Sequence, residues 1–164
     1  MDDRKRSDGG RRTLGAVGAF MGLTLHHVGI LVPDIAEAAA RYVARFGYRV
    51  CSEIVHDPVQ TARVQFLSLT GSVPYVELVT PDGPESKLSN ALSKGGGLNH
   101  LCYLSPAIDE DCGRLRESGM LLLRSPVEAQ AFPGRRIAWL MGRDGIPIEL
   151  VEPGQEELQE LARP

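Results

Sequence analysis

Two stretches of the chain, residues 25–81 and 99–153, carry the same rhythm of apolar and polar positions. Each opens on a short apolar run, LHHVGILV at 25–32 and NHLCYLS at 99–105, that stops at a proline, Pro33 or Pro106. Runs of this length and composition read as strands. In the first stretch an alanine-rich amphipathic segment follows, predicting a helix over Ile35 to Phe46. Gly47 ends it, because glycine takes the left-handed backbone of a helix terminus at little cost. Three more strands are expected at Tyr48 to Val55, Thr61 to Leu69 and Tyr75 to Thr80. The second stretch parses as strand Asn99 to Ser105, helix Asp109 to Ser118, then strands Met120 to Ser125, Arg136 to Met141 and Ile146 to Glu152. Between them, residues 82–98 predict a short helix over Ser86 to Ser93 and a three-glycine hinge.

The parallel is a true repeat. HHVGILVPDI at 26–35 lies over NHLCYLSPAI at 99–108, so that histidine falls on histidine and proline on proline at an offset of 73. Val64-Gln65-Phe66-Leu67 lies over Ile137-Ala138-Trp139-Leu140, and VELVTP at 76–81 over IELVEP at 148–153, where Glu77 meets Glu149 at an offset of 72. Internal self-similarity of this kind marks duplicated supersecondary units. Each unit is βαβββ. Neither alone could cover both faces of its own sheet, so the two sheets should join. The expected class is α+β: two βαβββ modules forming a half-closed mixed-sheet barrel with a concave, ligand-sized interior.

The domain plan is a leader at 1–22, module one at 23–81, a linker at 82–98, module two at 99–153 and a polar tail at 154–164. The first twelve residues hold five basic and three acidic side chains and no aliphatic or aromatic one, so they are expected to be disordered. Arg11-Arg12 precede a mildly apolar run, but that run is short and lacks an A-x-A site, which argues against export. The tail is expected to form an exposed helical turn or to fray.

Composition narrows the function. With 43% hydrophobic and 24% charged residues, the body is an ordinary folded domain. A net charge of −3 argues against nucleic-acid binding, and no apolar run is long enough to span a membrane. Three widely spaced cysteines form no disulfide framework or zinc knuckle, which favours a cytoplasmic setting. The expected partner is a small molecule. A homodimer is also expected, because edge strands of such sheets can pair between subunits.

The repeat singles out His27, Glu77, His100 and Glu149, polar residues duplicated inside apolar strands. A buried carboxylate without a partner is costly. Two imidazoles and two carboxylates suit a divalent ion (Zn, Ni, Co or Mn) with open positions for substrate. Two buried His–Glu hydrogen bonds are the alternative. Strand alternation places His26 on the face opposite His27, as a surface or packing residue. Cys102 follows His100 by two and shares its face, either as a core residue or as a substrate contact. Lys87, Lys94, Arg135 and Arg136 could meet an anionic substrate, with Arg136 taken as a binding residue. No glycine-rich phosphate loop is present.

On these features the chain resembles the vicinal oxygen chelate superfamily, which includes glyoxalase I, ring-cleaving dioxygenases and methylmalonyl-CoA epimerase. The resemblance spans residues 25–152. PDGPESKLSNALSKGGGLNHLCYL and SPVEAQAFPGRRIAWL are similar to the epimerase-like branch. It implies a glyoxalase-like fold, metal ligation by His27, Glu77, His100 and Glu149, and proton transfer through a metal-stabilised enolate of an acyl thioester such as an acyl-CoA, or of an α-oxo acid. The pattern also departs from that branch: Gln65 stands where a glutamate base is expected, and Glu77 where a glutamine ligand is. The set of two His and two Glu is similar to glyoxalase I, which casts Glu77 and Glu149 as acid/base groups and Gln65 as a catalytic, substrate-binding hydrogen-bond donor. The alternatives are a glyoxalase I-type lyase, a natural-product tailoring enzyme and a small-molecule-binding resistance protein. A dioxygenase fits less well, since its iron site typically uses two histidines and one carboxylate, and a fourth protein ligand takes up a coordination position.

Overall fold

The computed structural model describes residues 22–161. Expectations about the leader therefore lie outside the described residues, except for its last position. The elements run β1 (Thr24–Leu31), α1 (Ile35–Phe46), β2 (Arg49–Val50), β3 (Val55–Asp57), β4 (Ala62–Ser68), β5 (Tyr75–Pro81), α2 (Ser89–Ser93), β6 (Gly97–Leu104), α3 (Ile108–Glu117), β7 (Leu121–Glu128), β8 (Arg136–Met141), β9 (Pro147–Val151) and α4 (Gln155–Leu161). The strand expected over Tyr48 to Val55 is instead two short ones, β2 and β3, both paired with β4. The linker helix is shorter than expected, and of the two forms expected for the tail it takes the helical one, α4.

The strands form one mixed sheet in the order β2-β4-β5-β1-β6-β9-β8-β7, with β3 also on β4. Within each module the first strand runs parallel to the last, β1 with β5 and β6 with β9. The modules meet where β1 and β6 pair antiparallel, which places a pseudo-two-fold axis between them. No described helix is long and apolar enough to cross a membrane.

Alternation along the strands separates two faces. The outer face carries α1 and α3. Ile35, Ala38 and Ala39 of α1 pack on Leu67 and Leu78, while Ile108 and Cys112 of α3 pack on Ala138, Leu140 and Leu150. Helix α1 starts where the Asp34 carboxylate accepts the Glu37 N–H at 2.7 Å and stops at Gly47 with φ 74°. The inner face carries Leu31, Val64, Phe66, Val79, Leu104, Ile137 and Val151.

That inner core also shows the sheet to be curled. Phe66 in β4 and Phe132 just before β8 lie 5.5 Å apart between ring centroids. Five strand-to-strand steps would hold β4 and β8 about 24 Å apart in a flat sheet, at about 4.8 Å each. The sheet must roll for the rings to meet. It stays open, giving the half-closed form expected.

Candidate metal centre and active site

Four polar side chains meet on the inner face where the modules join. His27 comes from β1, Glu77 from β5, His100 from β6 and Glu149 from β9. All four are buried. Nε2 of His27 lies 2.9 Å from Nε2 of His100, 3.2 Å from Oε2 of Glu149 and 3.5 Å from Oε2 of Glu77. Nε2 of His100 lies 3.2 Å from Oε2 of Glu77 and 3.6 Å from Oε2 of Glu149. The local cause is the repeat itself: β1 and β6 are neighbours, each flanked by its own module's last strand.

The donor set fits a divalent ion. With metal–donor bonds of about 2.0–2.1 Å, neighbouring donors stand about 3.3–3.4 Å apart in a tetrahedron and about 2.9 Å apart in an octahedron. The observed edges of 2.9 to 3.6 Å bracket both values. Two carboxylates supply the negative charge such an ion needs. Burial, the largest influence, drives the His27 imidazole down to about 3, so the ring is neutral and offers a lone pair. Burial also works against charging His100, but the Glu77 hydrogen bond and the Glu77 and Glu149 charges raise its pKa overall. Burial raises Glu149 above the usual carboxylate range, partly opposed by the His100 charge.

A second layer of contacts fixes both rings. Opposite β6, strand β1 carries an extra residue between Leu25 and His27, and β6 carries one opposite β1 between Leu98 and His100. Those extra residues are His26 and Asn99, themselves 73 apart and therefore equivalent in the repeat. A bulge suspends strict alternation, so each turns its side chain onto the ligand-type histidine beside it. Nδ1 of His26 lies 2.7 Å from Nδ1 of His27, and Nδ1 of His100 lies 2.8 Å from Oδ1 of Asn99. The expectation that His26 faces away from His27 is thus corrected. His26 is buried, and its Nε2 reaches Oε1 of Glu157 in α4 at 3.0 Å.

Gly29 has a steric role here. It pairs with His100 across β1 and β6, and a Cβ on it would sit 2.2 Å from the His100 ring. Only a residue without a side chain leaves room for that ring.

Beside Glu77 and His100 opens a cavity of about 680 Å³, also lined by Gln60, Lys87, Arg124 and Trp139. Of the expected substrate contacts, Lys87 is on this wall. Gln65 is not: it follows the outer-face alternation of β4, next to Leu67, and its amide donates to the Ser52 carbonyl at 3.1 Å. Arg136 is not either; its guanidinium is held by Glu152 at 2.6 Å and Asp109 at 3.0 Å. Cys102 does share the inner face, but it is fully buried against Glu149, and burial pushes its thiol well up. It is a core residue beneath the cluster rather than a substrate contact. Gln60, Asn99, Arg124 and Trp139 were not singled out by sequence reasoning. Asn99 and Trp139 could have been, since the repeat pairs Asn99 with His26 and Trp139 with Phe66.

Residues 26–139 match the model of the glyoxalase/bleomycin resistance protein/dioxygenase superfamily. The chain belongs to this superfamily. It is 32% identical over 130 residues to the ethylmalonyl-CoA/methylmalonyl-CoA epimerase of Cereibacter sphaeroides, covering 77% of this chain and 95% of the relative. It is also 32% identical to the human mitochondrial methylmalonyl-CoA epimerase, covering 77% of this chain and 72% of that protein. Among solved structures, methylmalonyl-CoA epimerase from Mycobacterium tuberculosis superposes with a TM-score of 0.71 at 30% identity, covering 83% of this chain and 91% of that one. The Streptomyces coelicolor methylmalonyl-CoA epimerase bound to 2-nitronate-propionyl-CoA superposes with a TM-score of 0.70 at 26% identity, covering 82% of this chain and 97% of that one.

Proposed function

We propose that this enzyme is a metal-dependent epimerase of a short branched acyl-CoA of the methylmalonyl-CoA type. The observation that carries the reading is the convergence of two histidines and two glutamates beside a cavity that also presents Lys87 and Arg124. The relatives' names supply the substrate class, and the cationic wall suits a carboxylate or phosphate. His27, His100, Glu77 and Glu149 would hold a divalent ion, which when bound withdraws charge from a thioester carbonyl and acidifies the adjacent C–H.

Inversion at that carbon requires a base on each side. Glu77 and Glu149 are related by the pseudo-two-fold axis and flank the histidine pair, so they are the candidates for removing and returning the proton. Gln65, on the outer face, takes no part. Trp139 packs edge-on against His100, with ring centroids 5.0 Å apart, and shields that side of the site from water.

Solvent exchange tests the reading. In D2O, the metal-loaded protein should wash deuterium into the C2 position of methylmalonyl-CoA. Glu149→Gln should slow the exchange by about 10²-fold or more. Absence of exchange in metal-loaded wild type would sink the epimerase assignment. The two-His, two-Glu donor set also favours a glyoxalase I-type lyase, which turnover of methylglyoxal–thiol adducts would reveal. The outer edges of the sheet at β2 and β7 support a homodimer, which sedimentation would test. The described cysteines are all free, in keeping with a cytoplasmic setting.

A further inference from the structure

We infer that Glu157 of α4, acting through His26, sets the tautomer of His27 and so keeps the lone pair of its Nε2 aimed at the donor cluster. The inference deepens the metal-site reading above and rests on it. Glu157 and His26 are positioning residues, since neither reaches the cluster centre.

A chain of contacts links Glu157 to His27 and fixes where each proton sits. Oε1 of Glu157 lies 3.0 Å from Nε2 of His26. A carboxylate only accepts, so this nitrogen of His26 carries the hydrogen. In neutral His26, Nδ1 is then the acceptor, and it faces Nδ1 of His27 at 2.7 Å. His27 must donate from Nδ1, which leaves its Nε2 unprotonated toward His100, Glu77 and Glu149. An imidazole binds metal through the nitrogen that its outer hydrogen bond leaves bare. In module two the outer contact is direct, because Oδ1 of Asn99 accepts from Nδ1 of His100 with no second residue behind it. Module one has a histidine in that place, which can accept or donate, and so needs Glu157 to decide.

The other oxygen of Glu157 makes the device specific. Oε2 accepts the Gly154 N–H at 2.6 Å and lies 3.0 Å from the Arg135 guanidinium. The Gly154 N–H donates to it and the Arg135 positive charge lies beside it, so in Glu157→Gln the amide oxygen stays there and the NH2 turns to His26. The relay then reverses: His26 accepts at Nε2 and donates from Nδ1, and His27 is forced to carry its proton on Nε2.

Two measurements on the full chain test this. Long-range proton–nitrogen NMR of metal-stripped protein should show His27 protonated at Nδ1 in wild type and at Nε2 in Glu157→Gln. Calorimetric titration with Zn²⁺ should show affinity reduced by about 10–100-fold in Glu157→Gln, the range found when such outer partners are lost. Thermal melting of the metal-free variant should stay close to wild type. The double variant His26→Asn/Glu157→Gln copies the Asn99 arrangement and should recover the affinity, which a merely structural role for Glu157 would not produce. An unchanged His27 tautomer together with unchanged Zn²⁺ affinity in Glu157→Gln overturns the inference. If wild type itself binds no Zn²⁺, the metal-site reading fails, and the tautomer measurement alone then upholds or overturns the relay.

Discussion

The two modules contribute equal halves of the site but support them differently. Each supplies one histidine from its first strand and one glutamate from its last, and each uses a bulge to aim a side chain at its histidine. At the equivalent positions Gly29 and Cys102, however, one module leaves space and the other fills it. Across the join, Gly29 faces His100 and Cys102 faces His27. The His100 ring lies over the β1 backbone, so module one must be bare there, whereas Cys102 is packed beneath the cluster. The outer ends differ too: Asn99 acts alone, and His26 leans on a helix outside the repeat. Duplication therefore explains the donor atoms, and later divergence explains how they are held.

The largest effect should come from breaking the symmetry at its centre. His27→Ala and His100→Ala remove one donor from each module, and both should abolish stoichiometric metal in elemental analysis. A metal-replete His27→Ala would show that the halves are not equivalent. Next, Gly29→Ala should push the His100 ring out of place, with an overpacking cost of about 1–3 kcal/mol in chemical unfolding and a matching loss of metal affinity. The mirror substitution, Cys102→Ala, opens only a small void and should cost about 1 kcal/mol, leaving metal stoichiometry intact. Equal damage from both would erase the steric contrast between the modules.

Metal itself should tie the modules together. Adding an ion at a hundredfold excess over its Kd stabilises the fold by about 2.7 kcal/mol. The melting temperature should therefore rise by several degrees on loading and fall back with chelator, and a flat response would argue against a site spanning the join.

The smallest effect concerns the outer face of module two. The Arg136 hydrogen bond holds the Glu152 carboxyl below its ordinary range. A depressed carboxylate contributes stability above its unfolded pKa and loses it as pH falls through the folded value. Glu152→Gln should slightly flatten the acid side of the stability profile. At the equivalent position of module one, Arg63 stands 3.6 Å from Asp82 with both side chains partly exposed, so Arg63→Ala should cost less stability than Arg136→Ala.

Most of the architecture was legible in the chain, and so were the four polar residues that the structure brings together. His27, Glu77, His100 and Glu149 stood out as polar residues inside apolar strands, and the offsets of 73 and 72 paired them. Local periodicity and duplication are properties of sequence, so they can be read without a fold. Strand ends were less legible, as the split between β2 and β3 shows, because pairing with β4 decides which residues of 48–57 extend.

What only tertiary structure decided is which side chains escape local rules and which distant ones meet. His26 turns inward because of a bulge opposite β6, and a bulge is set by the partner strand rather than by the residue. Gln65 and Arg136 are polar side chains in suitable strands, but the outer face claims them for Ser52 and for Glu152 with Asp109. Glu157 reaches His26 across 131 positions of chain because α4 folds back against β1. The sequence alone thus determined a duplicated βαβββ fold and the four polar residues at its centre, since period and repeat are written locally. The orientation of those donors, and the walls of the cavity beside them, depend on the curl of the sheet and on contacts between segments far apart in the chain.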